Sequence, residues 1–107
     1  MSKKIIGSWR IVEMDQWDQE FIDAEVKGFI KFTQNGMGEF QFGYVHGYID
    51  YRPSKLKKDD TIEFSWEGND EMDPAFGRGS ATIQKDDLVG HIYFHQGEES
   101  GFKAIRM

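Results

Sequence analysis

Residues 62–67 read Ile-Glu-Phe-Ser-Trp-Glu, apolar and polar in strict alternation. A period of two is the signature of a β-strand, in which successive side chains leave on opposite faces. Ile62, Phe64 and Trp66 must therefore share one face, and Glu63, Ser65 and Glu67 the other. A helix would scatter both sets. Related segments recur along the chain. Residues 5–14 carry Ile5, Ile6, Trp9, Ile11 and Val12, and residues 26–33 carry Val26, Phe29, Ile30 and Phe32. Asn35-Gly36 then supplies the positive φ angles of a tight hairpin. Phe40, Phe42 and Tyr44 alternate with Glu39, Gln41 and Gly43, and the pattern runs on to Tyr51, with Gly43 and Gly47 marking bends or bulges. A lysine-rich turn over 53–60 precedes the 62–67 strand. Segments 79–84, 88–95 and 101–106 complete the series. Seven or eight short strands in succession imply antiparallel neighbours, and closing the sheet on itself removes its exposed edges. The expected fold is all-β, a small antiparallel up-and-down barrel. One short helix is expected near residues 16–24, where Trp17, Phe21 and Ala24 recur at helical spacing and Asp15 can cap.

Length and charge narrow the function. The 107 residues suit a single domain, 1–107, with 38% hydrophobic and 15% aromatic residues to fill one core. Nineteen acidic against thirteen basic side chains give a net charge of −6, a field that repels phosphate backbones and anionic lipid. Nucleic acid and membranes are not expected partners. The absence of cysteine excludes disulfides, thiolate metal sites and a cysteine nucleophile. Lys3 and Lys4 precede no apolar run of signal-peptide length, so a cytoplasmic location is expected.

Gly7-Ser8-Trp9 on the first strand, followed by Arg10-Ile11-Val12 and a short helix, resembles the opening G-x-W signature of the calycins, which include lipocalins, fatty-acid-binding proteins and avidins. The resemblance covers about a dozen residues. It implies a barrel closed at one end by Trp9 beneath an arginine from near the last strand, a position that Arg106 can fill. The chain lacks a second lipocalin motif, disulfide cysteines and the arginine and tyrosine carboxylate clamp of fatty-acid-binding proteins. Residues 64–79 are also similar to a segment of small uncharacterised bacterial proteins, to which no function attaches.

Residues 67–79 read as the one long connection, and long connections in compact domains tend to carry function. They gather Glu67, Asp70, Glu71 and Asp73 near Arg78. Clustered carboxylates suit a hard cation, yet the EF-hand spacing fails, counted from Asn69. Paired carboxylates can also serve as general acid and base. The plainer reading is that Arg78 grips Asp70, Glu71 or Asp73 and orders the loop, with Gly77 and Gly79 turning it back into a strand. His91 and His95 lie four apart on an expected strand, roughly 13 Å between Cα atoms at about 3.3 Å per residue, too far to share a metal ion. They belong to the outer face, opposite Leu88, Ile92 and Phe94. No metal or cofactor is expected, and Ser8, Ser65, Ser80 and Ser100 lack a nucleophile-elbow pattern.

The aromatics carry the functional expectation. Phe29, Phe32, Phe40, Phe42, Tyr44, Tyr48, Phe64, Trp66, Phe94 and Phe102 are spread over nearly every strand. An eight-stranded barrel is wide enough either to be filled by its own side chains or to hold one small ligand. The leading expectation is a non-enzymatic barrel that takes a small apolar or amphipathic ligand at its mouth, through Tyr44, Tyr48, Trp66, Phe76 and Arg78. The rival is a protein-interaction module that uses the acidic loop and exposed aromatics, including a homodimer contact. A carboxylate-dependent enzyme is the third. An open internal cavity favours the first, a continuous aromatic surface the second, and a carboxylate with a raised pKa in a cleft the third.

Overall fold

The computed structural model describes residues 5–53 and 61–107. Among these residues eight strands form: β1 (Gly7–Met14), β2 (Phe29–Phe32), β3 (Met37–Phe42), β4 (Val45–Pro53), β5 (Thr61–Asp70), β6 (Asp73–Gln84), β7 (Asp87–Phe94) and β8 (Glu99–Arg106). Each pairs antiparallel with the next, and β8 pairs with β1 to close the barrel. The all-β, up-and-down expectation holds. A single helical turn, α1 (Gln19–Ile22), lies between β1 and β2. Asp18, not Asp15, caps it: the Asp18 carboxylate accepts the Phe21 N–H at 2.9 Å. No helix among the described residues is long and apolar enough to cross a membrane. Lys55, Lys57 and Lys58 of the lysine-rich turn lie outside the described residues.

Two further features depart from the sequence reading. The expected continuous run through Tyr51 is broken by a two-residue turn at Gly43-Tyr44, where Gly43 takes a φ of 57°. Phe42 then pairs with Val45, so the inward positions switch from even numbers on β3 to odd numbers on β4. Val45, Gly47, Ile49 and Tyr51 face in and are buried, while Tyr44 and Tyr48 are exposed. The second departure is larger. Residues 67–79 are not a long loop: β5 and β6 pair from Thr61–Thr82 to Asp70–Asp73, and only Glu71 and Met72 intervene. Glycine makes this pairing fit. A Cβ on Gly68 would lie 1.9 Å from the His46 carbonyl oxygen, and one on Gly77 would lie 1.8 Å from that of Tyr93. Both carbonyls belong to neighbouring strands and cannot swing aside as a side chain would.

The interior is a contiguous core. Trp9, Ile11, Met14, Ile30, Phe32, Phe40, Phe42, Phe64, Trp66 and Phe102 are buried, with Ile62, Leu88 and Ile92. A register shift between Ile11 and Glu13 on β1 turns Met14 inward where strict alternation would place Glu13. The rings meet in offset and edge-on pairs, such as Phe40 with Trp66 at 5.0 Å and Phe32 with Phe64 at 6.3 Å between centroids. Ile62, Phe64 and Trp66 share the interior, and Glu63, Ser65 and Glu67 face out, as their alternation requires.

Candidate functional site

Both ends of the barrel are plugged. At one end Trp9 is buried and donates its indole N–H to the Ile5 carbonyl at 3.0 Å. The Arg106 guanidinium lies 3.9 Å from the Trp9 ring centroid, the arrangement implied by the calycin resemblance, and donates to the Ile6 carbonyl at 2.7 Å. At the other end α1 brings Ile22 into the core, while Trp17 packs against Phe21, Phe42 and Phe94. Asp23 fixes this segment by accepting from Arg10 at 2.8 Å and from the Gly28 N–H at 2.8 Å.

The five residues expected at a barrel mouth do not converge there. Trp66 points inward and donates its indole N–H to the Tyr93 carbonyl at 3.2 Å. It is a core residue because its place on β5 is set by the alternation with Glu67. Tyr44 sits in the β3–β4 turn, its ring 6.0 Å from that of Phe21. Tyr48, Phe76 and Arg78 are brought together on the outer wall of β4, β5 and β6. The antiparallel register there places Tyr48 opposite Glu67 and Glu67 opposite Phe76, with Asp50, Ser65, Arg78 and Tyr93 in the adjacent row. Tyr48 and Phe76 are 57% and 54% exposed, and Met37, across from Asp50, is 55% exposed. These are large apolar groups left in water on one stretch of sheet.

The clamp expected of Arg78 is absent. Arg78 lies on β6, pointing outward, with its guanidinium 5.3 Å from the centroid of the Tyr93 ring, and it makes no ion pair among the described residues. The hairpin needs no such clamp, because its backbone ladder already fixes residues 61–82. Phe76 stacks on His95, ring centroids 4.7 Å apart and planes 20° apart, and Tyr48 lies 4.8 Å from the His46 ring. Two grooves result. One, of about 400 Å³, runs between Tyr48 and Phe76 over Ser65, with Asp50 and Glu67 at its sides. Its neighbour, of about 440 Å³, is lined by Phe76, Arg78, Tyr93, His95 and Glu99.

Sequence reasoning missed Met37 as a member of this surface. Alternation with Ile92 and Phe94 places Tyr93 on the outer face, but only the register of β6 with β7 places it beside Arg78. Met37 gains its meaning only from pairing with Asp50.

The histidine–carboxylate contacts among the described residues are pairs across neighbouring strands. His46 contacts Glu39 at 2.7 Å and His91 contacts Glu99 at 3.1 Å, each across neighbouring strands. Among the described residues no group of three or more histidine, aspartate or glutamate side chains is placed to hold a metal ion. Hydrogen bonding from His46 draws the Glu39 carboxyl below its ordinary value, and burial, which opposes this, is outweighed with help from Lys31. At Asp23 burial pushes the carboxyl up, but hydrogen bonds from Gln19, Gly28 and Arg10 together take it below its ordinary value. Both shifts favour the charged form, the opposite of what a general acid requires. No protein-family model, curated protein or solved structure matches the chain.

Proposed function

We propose that this chain is a non-enzymatic binding module that docks a partner protein on the outer wall of β4, β5, β6 and β7. One observation carries the reading: a barrel that buries most of its aromatic rings leaves Met37, Tyr48 and Phe76 more than half exposed in adjacent rows of one wall. Exposed apolar groups gathered on one surface mark interaction sites more often than groups scattered singly. Aromatic and methionine side chains are also enriched at the centres of protein interfaces. The likeness to calycins, supported by Arg106 over Trp9 in a closed antiparallel barrel, concerns the scaffold and leaves the wall free for this role.

Affinity capture followed by cross-linking tests this. A partner held by the native chain, cross-linked to β4–β7 and lost with the Tyr48→Ser, Phe76→Ser double variant, is the expected result. A partner retained equally by that variant overturns it.

A second reading rests on Arg78, whose guanidinium has no carboxylate partner among the described residues and borders the groove with Phe76 and His95. Such a groove suits a small amphipathic ligand with an anionic end. A small molecule retained in native mass spectrometry, and lost with Arg78→Gln, would favour this reading over protein docking.

A further inference from the structure

We propose that the groove between Tyr48 and Phe76 receives one lysine or arginine side chain from the docked partner, an inference that rests on the docking reading above. The two rings stand on opposite sides of β5, because the register runs Tyr48, Glu67, Phe76 across β4, β5 and β6. Ser65 is a small residue on the floor, and Met37 extends the apolar side next to Asp50. The groove holds about 400 Å³. A basic side chain has the matching two-part chemistry. Its methylene stem needs apolar walls, and its charged end gains from aromatic faces and from a carboxylate.

The charges choose among occupants. Glu67 lies between the two aromatic residues and has no ion-pair partner among the described residues. Among the described residues Asp50 pairs with Arg52 at 3.6 Å, between side chains that are 66% and 69% exposed, an arrangement that contributes little. An anionic insert would meet Asp50 and Glu67, while Arg78, opposite Ser65, has its guanidinium over the Tyr93 ring and does not line this groove. A neutral apolar insert would strip water from Glu67 without replacing its partner, which costs free energy. A second copy of this chain would bring the same carboxylates, within a net charge of −6, against one another. A cationic side chain satisfies Glu67, and the Phe76 ring, stacked on His95, forms one wall of its groove.

The test is an amide-resonance titration of the full isotope-labelled chain with two blocked pentapeptides, Gly-Leu-Lys-Leu-Gly and its counterpart with norleucine in place of lysine. The lysine peptide should move the resonances of Ser65, Glu67 and Phe76 and bind roughly tenfold more tightly than the norleucine peptide, a difference that shrinks as salt is added. The exposed double variant Asp50→Asn, Glu67→Gln should reduce the lysine peptide to the norleucine level, while its amide dispersion shows the fold intact. Equal binding of both peptides at the groove overturns the cationic occupant and leaves the docking wall standing. Resonance shifts confined to other strands, or no shifts, overturn this inference; the docking wall falls as well only if partner capture is indifferent to Tyr48→Ser, Phe76→Ser.

Discussion

The end of the barrel sealed by Trp9 and the outer wall bearing Tyr48 and Phe76 use the same residue class in opposite ways. At the sealed end the plug is tied to the backbone: the buried Trp9 indole donates to Ile5, and Arg106 covers the ring while donating to Ile6. On the wall, Tyr48 and Phe76 each lie against a histidine ring and remain more than half exposed. An aromatic that closes a core is fixed by what surrounds it. One that stands on a sheet face is held mainly by its backbone. Stability should thus respond strongly at the first region and weakly at the second, and binding should respond the other way.

The largest expected effect is at the plug. Trp9→Ala should lower unfolding stability by about 3–5 kcal/mol in urea titrations, since the removed ring leaves a cavity and the surrounding strands cannot collapse into it. A loss below about 1 kcal/mol would erase the contrast with the wall. Next comes Gly77→Ala, which sits directly under the wall. The added Cβ would meet the Tyr93 carbonyl oxygen at 1.8 Å, so β6 and β7 must part. We expect a loss of roughly 1–3 kcal/mol, with raised amide exchange centred on the Gly77–Phe94 pairing. A neutral substitution would mean that the two strands slide freely beneath the wall.

Acid should act on a smaller scale. Asp23 ties α1 to β1, and Glu39 ties β3 to β4 through His46, and both carboxyls titrate below their ordinary values of 3.8 and 4.5. A carboxyl whose value is lowered on folding adds stability above its unfolded value, and that stability is lost as the pH falls through the folded value. The loss should thus begin near pH 4.5 and deepen below it. Both pairs are partly exposed, so each contributes at most about 1 kcal/mol. Comparing urea midpoints at about pH 6 and about pH 3, the Asp23→Asn, Glu39→Gln variant should lose less stability on acidification than the native chain. An unchanged difference would show that other carboxylates govern the acid response.

The smallest effect belongs to the wall itself. Tyr48→Ser and Phe76→Ser should each change stability by no more than about 0.5 kcal/mol, as exposed substitutions away from caps and buried networks usually do. Thermal unfolding checks this. A loss above about 2 kcal/mol would make Tyr48 and Phe76 structural and remove the reason to read the wall as a docking face.

The sequence by itself determined the strands that alternate cleanly, because a side-chain period of two leaves no freedom once one face is apolar. Ile62, Phe64 and Trp66 could go only inward together, and Leu88, Ile92 and Phe94 likewise set the outward direction of His91 and Tyr93. The one-turn helix near Phe21 was legible from spacing, and the meeting of Trp9 with Arg106 from resemblance. Residues 67–79 were not legible as a hairpin, because Gly68, Pro74, Gly77 and four acidic side chains carry little β preference of their own. Their strand state comes from β4 and β7, whose carbonyls approach so closely that glycine is required. Nor could local pattern separate Tyr48 from Phe42. A two-residue turn at Gly43-Tyr44 reverses which parity faces the core, and only the pairing of β4 with β3 and β5 shows it. The candidate site therefore belongs to tertiary structure: Tyr48, Glu67 and Phe76 are nine or more positions apart along the chain and become neighbours through register alone.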